Sequence, residues 1–137
     1  MSLKSFLKKK LVTKELNQQL DKINKPVGSL GYDPWGFNTD TNKIVLALFS
    51  GIYHKYFRVE AKGIENVPDT GPVLIIANHS GQLPIDGTLI AYALANRKKT
   101  PRLPRAMIER FFPTVPFLGN FLNQIGAVLG DPDNCAK

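Results

Sequence analysis

Val73-Leu74-Ile75-Ile76-Ala77 is an unbroken apolar run, set between Gly71-Pro72 and the polar Asn78-His79-Ser80. A run this short, bounded by turn residues, is the pattern of a strand buried on both faces. Strands of that kind occur in parallel sheets covered by helices, so the run points to an α/β fold. Its surroundings agree. Residues 86–96 carry Leu89, Ile90, Ala93 and Leu94 at helical spacing, and Pro101 and Pro104 interrupt the chain after them. Ala106-Met107-Ile108 reads as a further strand, residues 115–124 as a short helix, and residues 125–129 as another apolar strand. Strand, helix, strand, helix, strand predicts helices over a largely parallel sheet.

Upstream, residues 2–24 read as one amphipathic helix with Leu3, Leu7 and Leu11 on one stripe and Leu16, Leu20 and Ile23 on a second. Lys4, Lys8, Lys9, Lys10 and Lys14 fill much of its remaining surface. The helix fits two roles equally: packing on its own domain, or lying on a membrane surface. Lys25-Pro26 should end it, because proline disfavours helix for the residue before it. A loop with Tyr32, Trp35 and Phe37 follows over residues 28–40. Residues 42–54 then predict a helix that buries Ile44, Val45, Leu48, Phe49 and Ile52. Phe57, Val59 and Ala61 alternate with Arg58, Glu60 and Lys62, as in a half-exposed strand. The expected division is residues 1–40, an amphipathic helix and aromatic loop, followed by an α/β unit over residues 41–137.

The 137 residues carry a net charge of +7, from 18 Lys and Arg against 11 Asp and Glu. That excess favours anionic partners: acidic headgroups, phosphorylated small molecules or nucleic acid. Aromatics interleaved with lysines, as on RNA-binding sheets, are not evident, so no nucleic acid is expected. The longest apolar run, residues 44–53, is interrupted by Ser50 and Gly51 and falls short of a spanning helix. The N-terminus lacks the apolar stretch of a secretory signal. One cysteine, Cys135, excludes an internal disulfide framework. His54 and His79 are the only histidines and have no partner at zinc spacing, so no metal is expected. Neither a P-loop nor a G-x-S-x-G elbow is present.

The segment Asn78-His79-Ser80-Gly81-Gln82-Leu83-Pro84-Ile85-Asp86 joins the expected buried strand to a helix. Ligands bind at the C-terminal ends of strands in open α/β sheets. A histidine there suits general-base chemistry, with a carboxylate on its other nitrogen fixing tautomer and orientation. The alternatives stand beside it: His79 as a structural histidine and Asp86 as an ordinary helix cap. A second basic cluster, Arg97, Lys98, Lys99, Arg102, Arg105 and Arg110, is either a solvated loop or a phosphate-binding rim. Arg105 and Arg110 flank the strand at 106–108 and are its better substrate-binding candidates.

Asp33-Pro34-Trp35-Gly36-Phe37, Tyr56-Phe57-Arg58-Val59-Glu60, Gly63-Ile64-Glu65-Asn66-Val67-Pro68 and the run from Gly71 through Asn78-His79-Ser80-Gly81 resemble the glycerolipid (lysophospholipid and glycerol-phosphate) acyltransferase family. Residues 111–130 resemble the segment that leads into its second conserved block, so the likeness covers residues 33–137. The resemblance implies a histidine–aspartate catalytic pair, His79 and Asp86. It also implies a substrate contact around Ser80 and Gly81. The co-substrate would be acyl-CoA or acyl carrier protein, with no bound cofactor, acylating a glycerolipid-type hydroxyl in phospholipid biosynthesis. The enzyme would sit on the cytoplasmic face of an anionic membrane. Six residues separate His79 from Asp86, a longer spacing than the common family pattern and closer to its diacylglycerol-acyltransferase-like branches. The family's later Phe-Pro-Glu-Gly element has no counterpart, and Asp131-Pro132-Asp133 stands where an arginine often ends the second block. The chain thus resembles the N-terminal part of a truncated acyltransferase domain. The competing expectation is a non-catalytic basic module that binds membrane surfaces or nucleic acid.

Overall fold

The computed structural model describes residues 3–23, 28, 31–80 and 84–135. The expected helix stop at Lys25-Pro26 lies outside them, as does Gly81. The architecture is α/β, mostly helical around a small parallel sheet.

The single N-terminal helix expected from the leucine stripes is two. α1 spans Leu3–Leu11 and α2 spans Lys14–Asp21. Thr13 makes the break: it is extended (φ −68°, ψ 160°), and its hydroxyl accepts the Leu16 amide at 3.2 Å. An N-cap residue leaves the helical conformation, so a continuous helix cannot run through it. The break separates two environments. Leu16 and Leu20 of α2 enter the core, while α1 buries no residue and leaves Leu3 and Phe6 exposed. Lys4 and Lys8 tether α1, donating at 2.6 Å to the side chains of Asn38 and Asp40.

α3 spans Thr39–Gly51 and starts at Asn38, whose side chain accepts the Thr41 amide at 3.0 Å. It runs into a π-helical turn, Ile52–Tyr56. Leu46 of α3 and Tyr53 of that turn meet Leu16 and Leu20 of α2, and Tyr92 and Ala95 of α4 (Ile85–Ala95), to form the core. Val45, Leu48, Phe49 and Ile52, expected on the buried face of α3, are only partly covered or exposed. Lys43 is buried instead, its ammonium held by Asn17 at 2.8 Å and Asp21 at 2.5 Å.

β1 (Ala106–Ile108) and β2 (Ala127–Leu129) pair in parallel, Met107 opposite Val128. α5 (Leu118–Ile125) precedes β2, and a short α6 (Pro132–Cys135) follows it. Gly126 switches from α5 to β2 at φ +102°, a left-handed conformation in which glycine carries no Cβ penalty.

Two expected strands do not form. At residues 57–61, Arg58 takes φ 49°, and the Val59 amide bonds to the Tyr53 carbonyl rather than to a neighbouring strand. Residues 72–80 run without helix or ladder, and Leu74 and Ile76 are 78% and 86% exposed. The apolar run has no strand beside it among the described residues, because β1 and β2 pair only with each other.

Candidate active site

Residues 72–80 carry His79 near their end, and α4 begins at Ile85 with Asp86 in its first turn. The intervening spacing closes. His79 Nδ1 lies 2.8 Å from Asp86 Oδ2 and 3.0 Å from Oδ1. The carboxylate is further held by the Ser80 amide at 3.1 Å and the Gly87 amide at 2.7 Å. Its place in the first turn of α4 adds the favourable end of the helix dipole. The His79 side chain is 57% exposed and that of Asp86 31%.

These bonds decide the proton's position. The Gly87 amide, the His79 ring and the Ser80 amide together hold the Asp86 carboxyl below its ordinary 3.8. Asp86 is therefore ionised at neutral pH and can only accept. The proton shared with His79 must sit on Nδ1, and the neutral ring then presents the lone pair of Nε2 outward. That is the arrangement of an oriented general base.

A depressed carboxyl pKa contributes order that is complete above the unfolded value and lost as pH falls through the folded one. The Asp86 contacts should thus persist through pH 4. A carboxyl-carbon NMR titration should place the Asp86 midpoint below 3.8. In His79→Ala the midpoint should rise but stay depressed, since both backbone amides remain. A midpoint at or above 3.8 in the unaltered protein would show that this network does not form.

The remaining candidates do not join His79 and Asp86. Ser80 commits its amide to Asp86. Arg105 points elsewhere, with its guanidinium paired to Asp33 and 4.6 Å from the Phe37 ring centroid. Burial pulls the Arg105 pKa down from its usual value. The bond to Asp33 fastens the 31–38 loop to the edge of β1. Arg110 is exposed beyond β1 and bonds to neither His79 nor Asp86. Two more arginines of the basic cluster are tied to the protein's own groups, while Lys98 and Lys99 are exposed. Arg97 donates to the Val67 carbonyl at 2.6 Å and to Asp69 at 3.0 Å, and Arg102 to the carbonyls of Pro68 and Gly71 at 2.8 and 2.7 Å. Together they pin the loop that feeds residues 72–80, and so fix where His79 emerges. Sequence reasoning does not single out Asp33 as a partner, although Asp33-Pro34-Trp35-Gly36 already has the composition of a side-chain-capped turn. Among the described residues, no group of three or more His, Cys, Asp or Glu gathers to hold a metal ion.

Three proteins of the genus Mycobacterium are similar to this chain over 100 residues, or 72% of it. An uncharacterized protein of Mycobacterium leprae is 33% identical, and uncharacterized proteins of Mycobacterium bovis and Mycobacterium tuberculosis are each 32% identical. The matched stretch spans only 27–28% of those relatives' own length. No solved structure matches the chain significantly. The family model described as Acyltransferase matches residues 58–137, which include both His79 and Asp86. With more than half of its length matched, the chain belongs to the acyltransferase family.

Proposed function

We propose that His79 is the general base of an O-acyl transfer from acyl-CoA or acyl carrier protein to a glycerolipid-type hydroxyl, such as that of a lysophospholipid or glycerol phosphate. The observation that carries this reading is the two-oxygen grip of Asp86 on Nδ1, which leaves Nε2 as an outward acceptor. Nε2 takes the hydroxyl proton as the oxygen attacks the thioester carbonyl. The C–S bond breaks, the thiolate leaves, and the imidazolium returns the proton to it. The products are the ester and the free thiol, with no net redox change. Thiol release measured with acyl-CoA or acyl carrier protein, with and without lysophospholipid or glycerol phosphate, tests the proposal. Release that no hydroxyl acceptor stimulates would count against it.

In this reading the reaction takes place at an anionic membrane surface, on its cytoplasmic side, and α1 is suited to reach one. No helix among the described residues is long and apolar enough to cross a membrane. Leu3 and Phe6 are exposed on α1 beside Lys9 and Lys10, as on a helix lying in an interface. Deleting the segment would remove Leu16 and Leu20 from the core, so charge reversal is the cleaner test. At about 1 kcal/mol per lysine near an acidic surface, Lys9→Glu with Lys10→Glu should weaken co-sedimentation with phosphatidylserine vesicles by roughly 25-fold or more. High salt should mimic the loss. Equal binding to neutral and anionic vesicles would remove the electrostatic part of this reading.

A further inference from the structure

Residues 111–130 contain no Asp, Glu, Lys, Arg or His. Within them, α5 folds with its polarity reversed, its polar side against the body of the protein. The Gln124 side chain accepts from the Thr41 hydroxyl at 2.7 Å. The Gln124 carbonyl accepts from the Asn38 amide at 2.9 Å and from the Asn42 side chain at 2.7 Å, and Asn123 sits close against Gly36. Leu118 and Phe121, one turn apart, are exposed instead. So is Phe111, which precedes the short helical turn at 112–114.

Phe117 forms the tip. Its side chain is 93% exposed, and its backbone takes φ 64° and ψ −36°. The Leu118 amide donates to the Pro116 carbonyl at 2.7 Å, closing a γ-turn of the rare positive-φ form. That conformation is costly for a bulky residue, and such strain clusters at functional positions. With so little protein against its side chain, Phe117 gains no packing that offsets the cost. The turn is nonetheless closely mounted on the protein. A Cβ on Gly119 would lie 2.6 Å from the Pro113 carbonyl oxygen, so only glycine permits this approach.

We infer that Phe117, with Phe111, Leu118 and Phe121 behind it, inserts into the acyl-chain boundary of a lipid surface. Shape favours lipid: an uncharged wedge on a tight turn suits a fluid apolar medium, which needs no matching pocket. Place favours it too. Lys4 of α1 donates to the Asn38 side chain, and the Asn38 amide donates to Gln124 of α5, so the two helices meet at the start of α3. Phe117 lies about 10 Å along α5 from that point, and α1 exposes Leu3, Phe6, Lys9 and Lys10. Glu109 and Arg110, both exposed, cancel at the base of the wedge. The wedge therefore adds apolar insertion to the electrostatic attraction of α1. It rests on the membrane part of the function proposed above and not on acyl transfer.

Co-sedimentation with phosphatidylcholine vesicles containing phosphatidylserine, at low and high salt, tests the wedge. Glycine adopts positive φ freely, so Phe117→Gly should melt no lower than the unaltered protein. Its vesicle affinity should still fall about tenfold or more at either salt, the share of one buried phenylalanine. Phe117→Trp in a Trp35→Phe background carries a single tryptophan, whose emission should shift to the blue and be quenched by brominated phosphatidylcholine. Binding that responds to salt and to the Lys9 and Lys10 reversals, but not to Phe117→Gly, overturns the wedge and leaves the α1 reading standing. No vesicle binding overturns both. Emission that brominated lipid leaves unchanged also overturns the wedge, as does a vesicle-free dimer lost in Phe117→Gly, which would assign the patch to a second copy.

Discussion

His79→Ala should slow acyl transfer by about 10²–10⁴-fold, the range expected when a positioned general base is lost. The fold should survive, since the His79 side chain is more than half exposed and, among the described residues, bonds to Asp86. Asp86→Asn is the informative companion. The amide oxygen can keep accepting from the Gly87 backbone, so the start of α4 is preserved, although the Ser80 amide then faces an NH₂ group and loses its acceptor. Its NH₂ group, however, can turn toward Nδ1 and donate to it, moving the ring proton to Nε2. The base then loses its lone pair without losing its position, and a decrease of similar size is expected. Thiol release and melting temperature, measured on both variants, separate chemistry from structure. A rate near that of the unaltered protein in His79→Ala would end its assignment as the base, whatever Asp86 does.

Asp33→Ala should be the most destabilising substitution of a charged residue, at about 3 kcal/mol. Asp33 is buried, and its carboxylate holds three partners: the Trp35 amide at 3.0 Å, the Phe37 amide at 2.9 Å, and the Arg105 guanidinium. Removing it leaves Arg105 half-buried with no counter-charge, while Arg105 Nη1 already lacks a hydrogen-bond partner. Water reaches part of that side chain, which keeps the cost at the lower end for a broken buried pair. A chain of this size should then melt roughly 10 °C lower. Arg105→Leu should cost less, because Asp33 keeps both amide donors and the leucine can pack on Phe37. Equal melting temperatures for Asp33→Ala and the unaltered protein would mean that the loop is not fastened through this pair.

Much of the local structure is written in the order of residues. The helices at 39–51, 85–95 and 118–125 and the strands at 106–108 and 127–129 fall within a few residues of where periodicity, proline and apolar runs place them. The proximity of His79 and Asp86 is legible as well, because only six residues separate them, between the end of the extended segment and the start of the helix. The break at Thr13 is also legible as a capping residue, but two aligned leucine stripes conceal it.

Contacts between distant parts of the chain were decided only by the tertiary structure. An arginine cluster looks the same in sequence whether it faces solvent, phosphate or protein. Arg105 is claimed by a carboxylate 72 positions earlier, and Arg97 by groups about 30 positions earlier. The apolar run at 73–77 shows the converse. Its residues dictate extension, but a strand exists only where another backbone supplies the ladder. Side-chain spacing sets which conformation a segment prefers, whereas partner choice depends on which surfaces the folded chain brings together.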